Sequence, residues 1–119
     1  MQRGLVTEVE IVDVYDGDTV VVQPMLPTMR IRLLDCWAPE IRTRDDAEKV
    51  RGYEARDYLR ELLPAGSRVM MEVPTDRKLQ GSLTMGRVLG RIYVEGEVGQ
   101  QTDVAELMVE AGHATKDKE

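Results

Sequence analysis

Arg30-Ile31-Arg32-Leu33-Leu34-Asp35-Cys36-Trp37-Ala38-Pro39-Glu40 begins as a strand and ends as a rigid corner. Ile31 and Leu33 alternate with Arg30 and Arg32, so one face is apolar and the other cationic. Pro39 fixes its own φ and biases Ala38 toward an extended conformation. Glu40 is thereby held at a strand end, eight residues beyond Arg32. Sheets position such groups and loops expose them, which is why catalytic side chains gather there. Charged residues on an ordinary half-exposed strand give the same pattern with no function attached.

Upstream, Leu5 to Val14 reads as a strand, with Val6, Ile11, Val12 and Val14 supplying β-branched content. Tyr15-Asp16-Gly17-Asp18 carries turn chemistry, Thr19 to Gln23 is the returning strand, and Pro24 to Pro27 makes a short connection. Downstream, residues 41–49 form a charged loop. Val50, Tyr53, Ala55, Leu59, Leu62 and Leu63 predict an amphipathic helix over Lys49 to Leu63, stopped by Pro64-Ala65-Gly66. Arg68 to Val73 alternates as a strand, and the polar, glycine-bearing residues 75–86 predict a mobile loop. Arg87 to Val94 is a further strand, turned by Glu95-Gly96-Glu97. A final helix runs from about Thr102 to Ala111, with Gly112 as its C-cap. Five strands, one helix between the third and fourth, and a C-terminal helix predict a mainly β chain with helices (α+β), built as a five-stranded OB-fold barrel. Such a barrel serves binding modules and enzymes alike, so the fold does not decide the function.

A chain of 119 residues is one domain here, with a polar tail from about residue 115 and no internal repeat. Cys36 is the only cysteine, which excludes an internal disulfide and reads as a small strand residue. His113, the only histidine, sits beside a helix end and reads as a surface residue. The first eight residues have no apolar core, and no later run is long enough to span a bilayer, so a soluble cytoplasmic protein is expected. A net charge of −6 argues against a general nucleic-acid coat. The cations are nevertheless twelve arginines against four lysines, and six of the sixteen lie between positions 30 and 51. Arginine's planar fork suits phosphate, although a biased genome composition produces the same excess. A local positive pocket in an acidic protein is the expectation.

Asp16-Gly17-Asp18-Thr19-Val20, Arg32 with Ala38-Pro39-Glu40, a helix carrying Gly52-Tyr53-Glu54-Ala55, and Gly86-Arg87-Val88-Leu89 with Ile92-Tyr93 follow one another in order. This series resembles the staphylococcal (micrococcal) nuclease family, or thermonucleases, from about Val9 to Ala114. The resemblance implies an OB barrel that hydrolyses DNA or RNA phosphodiesters. It implies that Arg32 and Arg87 grip phosphate and that Glu40 orients or deprotonates water. It further implies that Asp18 gives a carboxylate to calcium and Ala38 a backbone carbonyl. From the residues alone, turn chemistry stands ahead of metal binding for Asp18; the resemblance reverses that order.

The chain also departs from the family pattern. The second calcium carboxylate is expected three residues before Glu40, where Trp37 stands. Calcium prefers six to eight oxygens, so a site with one carboxylate is expected to be weak, with manganese or magnesium as alternatives. Asp35, two residues earlier, substitutes only if the backbone shifts. Trp37 reads either as packing over the site or as a platform for stacking a base, with Arg30 beside it as a further substrate contact. Met85 replaces a nucleotide-contacting tyrosine, and the family's C-terminal helix and tyrosines have no counterpart after Ala114. Looser or redirected binding, with single-stranded DNA or RNA as partner, is expected. The leading expectation is a metal-dependent nuclease-like hydrolase with an altered metal site. The alternatives are a non-catalytic OB module that binds nucleic acid or protein, and a docking domain that reuses the old site.

Overall fold

The computed structural model describes residues 4–23, 29–74, 83–84, 87–96 and 99–117, with backbone alone for residues 4, 5, 83, 84 and 87. In chain order the elements are β1 (Gly4–Asp16), β2 (Thr19–Gln23), β3 (Met29–Leu33), α1 (Asp46–Leu62), β4 (Arg68–Pro74), β5 (Leu83–Thr84), β6 (Arg87–Glu95), β7 (Gln101–Asp103) and α2 (Val104–Glu110). Neither helix is long and apolar enough to cross a membrane.

The sheet runs β3-β2-β1-β4-β6, and a parallel pairing of β3 with β6 closes it into a five-stranded mixed barrel consistent with an OB-fold. Closure matches Ile31 with Val88, Arg32 with Leu89 and Leu33 with Gly90. β1 reaches around the barrel because it bends. Its register against β2 shifts between Ile11 and Asp13, leaving Val12 unmatched, so Ile11 and Val14 both turn inward although three positions apart. Val9, Ile11, Val20, Val22, Ile31, Leu33, Met71 and Ile92 fill the interior, capped by Leu59 and Leu63 of α1 and by Val104 and Met108 of α2.

Three boundaries differ from the sequence reading, each for a local reason. Helix α1 starts at Asp46, three residues early, because the Asp45 carboxylate accepts from the Ala47 and Glu48 amides and acidic residues fill the first turn. The C-terminal helix starts at Val104, after a short strand. Gln101–Asp103 pairs with Tyr93–Glu95, and Asp103 then caps the helix through the Ala105 amide at 2.9 Å. Leu83–Thr84 forms a short strand against Arg87 and Val88 within the stretch predicted to be a mobile loop. The rest of that stretch, residues 75–82 and 85–86, lies outside the described residues, as does the Pro24–Pro27 connection.

Candidate nucleic-acid phosphate site

Two glycines set the geometry. Gly17, in the β1–β2 turn, lies where an added Cβ would meet Ala38 Cβ at 2.6 Å and Ala55 Cβ at 2.8 Å. Gly52, inside α1, lies where a Cβ would meet the Glu40 carbonyl oxygen at 2.8 Å. The turn therefore packs its backbone on the Ala38 and Ala55 methyls, and the helix packs its backbone on that of Glu40, approaches that only glycine allows. Asp18, Ala38 and Glu40 are held by those contacts.

The Asp18 carboxylate is buried and engaged on both oxygens. Oδ1 accepts from the Thr19 hydroxyl at 3.2 Å, and Oδ2 accepts from the Ala38 amide at 3.0 Å. Arg32 Nη2 stands 3.7 Å from the same Oδ2. Arg32 is only 7% exposed, since its guanidinium lies 4.1 Å beneath the Trp37 ring, a cation–π contact. Its Nη1 donates to the Leu33 carbonyl, while Nη2 is buried with no hydrogen-bond partner among the described residues. A buried guanidinium N–H without an acceptor is costly and unusual, and it marks a place where an anionic oxygen would be welcome.

Asp16 completes the buried acid pair. Its Oδ1 accepts from the Asp18 amide at 3.1 Å. Burial first, then the neighbouring Asp18 carboxylate, raises its pKa from the ordinary carboxylate range to about 7. Cys36, fully buried, points its thiol at the Gly17 carbonyl at 3.6 Å; burial and the Asp18 charge push its pKa up to about 12. It is an uncharged packing group, not a nucleophile.

The other predicted residues are distributed unevenly. Trp37, Ala38 and Asp18 are brought together with Arg32. Glu40 is exposed, its amide 3.4 Å from Glu48 Oε2, and it lines an open groove of about 440 Å³ with Trp37, Glu48, Arg51, His113 and Thr115. Arg87 opens β6, two residues before Leu89, the register partner of Arg32; its side chain lies outside the described residues, as does Met85 altogether. Arg30 is not part of the cluster: it is exposed and lies over the Tyr15 ring at 5.3 Å. Asp35 is not brought to Asp18 either. Its backbone is left-handed, at φ 56°, and its carboxylate pairs with Arg91 at 2.7 Å.

These donors do not fit a calcium cage. Among the described residues no three acidic, histidine or cysteine side chains converge on one point. The carboxylate beside Asp18 is Asp16 of the same turn, which burial favours as the neutral acid, while Trp37 fills the expected second position over Arg32 and Asp35 faces the other way.

Sequence reasoning missed Gly17, Gly52, Thr115 and Arg91. Thr115 exchanges two backbone hydrogen bonds with Trp37, at 2.8 and 2.9 Å, and so anchors the site loop from the far end of the chain. No local pattern announces such a bridge. His113, placed at the surface from sequence, is half-buried against Tyr58, ring centroids 4.7 Å apart, on the rim of the groove.

Comparison with known proteins gives this arrangement a context. A family model described as staphylococcal nuclease homologue matches residues 30–119, taking in Arg32, Glu40 and Arg87 but beginning after the Asp16–Asp18 turn. Endonuclease YhcR of Bacillus subtilis (strain 168) is 35% identical over 88 residues, which is 69% of this chain and 7% of that relative. The chain thus spans a small part of the curated relative it matches. With three quarters of its length under the family model and a closed barrel carrying those positions, the chain belongs to the family of staphylococcal nuclease homologues.

Proposed function

We propose that this nuclease-like domain hydrolyses phosphodiesters of DNA or RNA, with Arg32 and Arg87 on the phosphate and Glu40 on the water. The observation that carries this reading is the buried Arg32 Nη2, lacking an acceptor beside Asp18. A phosphate oxygen supplies that acceptor. As the water oxygen bonds to phosphorus, charge grows on the equatorial oxygens, where guanidinium groups stabilise it most. Glu40 takes the proton from the attacking water, the P–O ester bond breaks, and the leaving alkoxide is protonated from solvent.

Asp18 holds the arrangement through the Ala38 amide and the Arg32 charge. The donor set predicts weak calcium dependence. Trp37, exposed over two fifths of its surface while stacked on Arg32, favours an unpaired strand whose base lies against the indole.

A nicking assay on plasmid and on labelled single strands, with calcium, manganese, magnesium or EDTA, tests the reading. Cleavage is expected, falling about a hundredfold or more in Glu40→Gln and in Arg32→Ala. Equal cleavage by Glu40→Gln, or none by the parent with any metal, refutes it. Trp37→Asp restores the second carboxylate and should tighten calcium binding by calorimetry; no gain means the site has been rebuilt around the indole.

A second reading, a binding module without turnover, is favoured by Trp37 standing where a metal carboxylate is expected. Strand binding with no product in any metal would select it.

A further inference from the structure

The loop from Leu34 to Glu40 carries Cys36, Trp37, Ala38 and Glu40 of the site, and it leaves the barrel at a sharp corner. Its first residue is fixed by the Leu34 amide donating to the Gly90 carbonyl at 2.9 Å. Asp35 then adopts the left-handed conformation, which side chains other than glycine rarely take and asparagine and aspartate tolerate best. That corner swings the Asp35 carboxylate away from Asp18 and onto Arg91 of β6, at 2.7 Å. The other arm of the same guanidinium reaches Asp103 Oδ2 at 2.9 Å. Asp103 in turn spends its second oxygen on the first turn of α2. One planar fork therefore joins the site loop, the barrel wall and the start of a helix, a geometry that arginine serves and lysine cannot. Partial burial works against the Arg91 charge, but the two carboxylates outweigh it and hold its pKa above the ordinary value.

The same helix reaches the loop again beyond its other end, where Thr115 pairs with Trp37 through both backbone groups. The loop is thus held on either side of buried Cys36, by Asp35 through Arg91 to the N-terminus of α2 and by Trp37 to the residues after its C-terminus. We infer that the Asp35–Arg91–Asp103 chain of ion pairs is a tie that sets the position of Trp37 over Arg32 and of Glu40 on the groove beside it, with Arg91 a positioning residue for the reaction. The inference rests on the nuclease reading only for its kinetic readout.

Trp37 is the single tryptophan, so its fluorescence reports the loop directly. Asp35→Asn keeps a left-handed-tolerant side chain and removes the charge. Arg91→Gln removes the fork, and Arg91→Lys keeps the charge without the fork. Acrylamide quenching of Trp37 should rise roughly twofold in Asp35→Asn and Arg91→Gln, as the loop opens locally, with Arg91→Lys between them and the parent. In the cleavage assay the same variants should lose about tenfold or more in kcat, with KM within about twofold, because groups are misplaced rather than removed. Arg68→Gln, which breaks the exposed Arg68–Glu8 pair of 2.8 Å, should change neither readout. Quenching unchanged in Asp35→Asn and Arg91→Gln, in protein with the parent's circular dichroism, overturns the tie. Should Arg91→Gln fail to fold, Asp35→Asn decides, since it leaves the Arg91–Asp103 pair in place. A parent without turnover would refute the nuclease reading, while the quenching result would still judge the tie.

Discussion

At Asp16 two effects of the same turn oppose each other. The Asp18 amide donates to its carboxylate, while burial and the Asp18 charge favour the neutral acid and lift its pKa to about 7. The folded protein therefore holds this proton more tightly than the unfolded chain, whose aspartate titrates near 4. The associated stability is present in full below the unfolded value and is lost as pH rises through about 7. Urea unfolding in EDTA should show stability falling between about pH 4 and pH 7, by on the order of 2 kcal/mol or more, and levelling above that. Asp16→Asn should flatten that slope and be the more stable protein at pH 8. None of this was legible in the sequence, where Asp16 reads as turn chemistry. That Arg32 and Ala38 stand beside Asp18 was legible because one short segment carries the first two. Asp35 was not: same-face reasoning with Trp37 holds only while a strand continues, and β3 ends at Leu33, two residues before the left-handed corner.

Helix α1 shows what an element does for the site without contributing a reacting group. Gly52 costs helix propensity of about 1 kcal/mol relative to alanine, yet it sits against the Glu40 carbonyl, with Ile41 Cγ2 also 2.9 Å from an added Cβ. Gly52→Ala should gain propensity and lose the close approach, leaving stability within about 1–2 kcal/mol of the parent. Turnover should fall about tenfold or more, since Glu40 is pushed off its place. Thermal melting beside cleavage rates checks this; an unchanged rate would show that Glu40's backbone position is immaterial. The periodicity of Val50, Tyr53, Ala55 and Leu59 revealed the helix, but Ala55 and Leu59 are buried while Val50 and Tyr53 remain exposed. The pattern identified the element correctly and its inner face only in part. Its true start depended on the Asp45 cap, a signal present in the sequence and outweighed by the apolar spacing.

The whole molecule is acidic, so the phosphate affinity proposed for it has to come from few contacts rather than from a broad basic field. Binding of a single-stranded oligonucleotide by Glu40→Gln should weaken with salt at a shallow slope. About two phosphate contacts give a slope of roughly −1.4 in log K against log salt. Fluorescence anisotropy across a salt series measures it, and a slope steeper than about −4 would require a cationic surface that this account lacks. The barrel itself was legible because β3 and β4 carry their own alternation, β1 its β-branched residues and β2 the turn before it. The closing pair was not, since a parallel match between β3 and β6 joins segments more than fifty positions apart and leaves no local signature.

That seam has three matched positions, and Arg32, the arginine proposed to hold phosphate, is one of them. The pairing that closes the ring is thus also the one that sets Leu89 opposite Arg32. While the chain is still being synthesised, everything up to Pro74 emerges before Leu89 can stand opposite Arg32. The phosphate grip proposed for this domain is therefore incomplete until β6 has emerged.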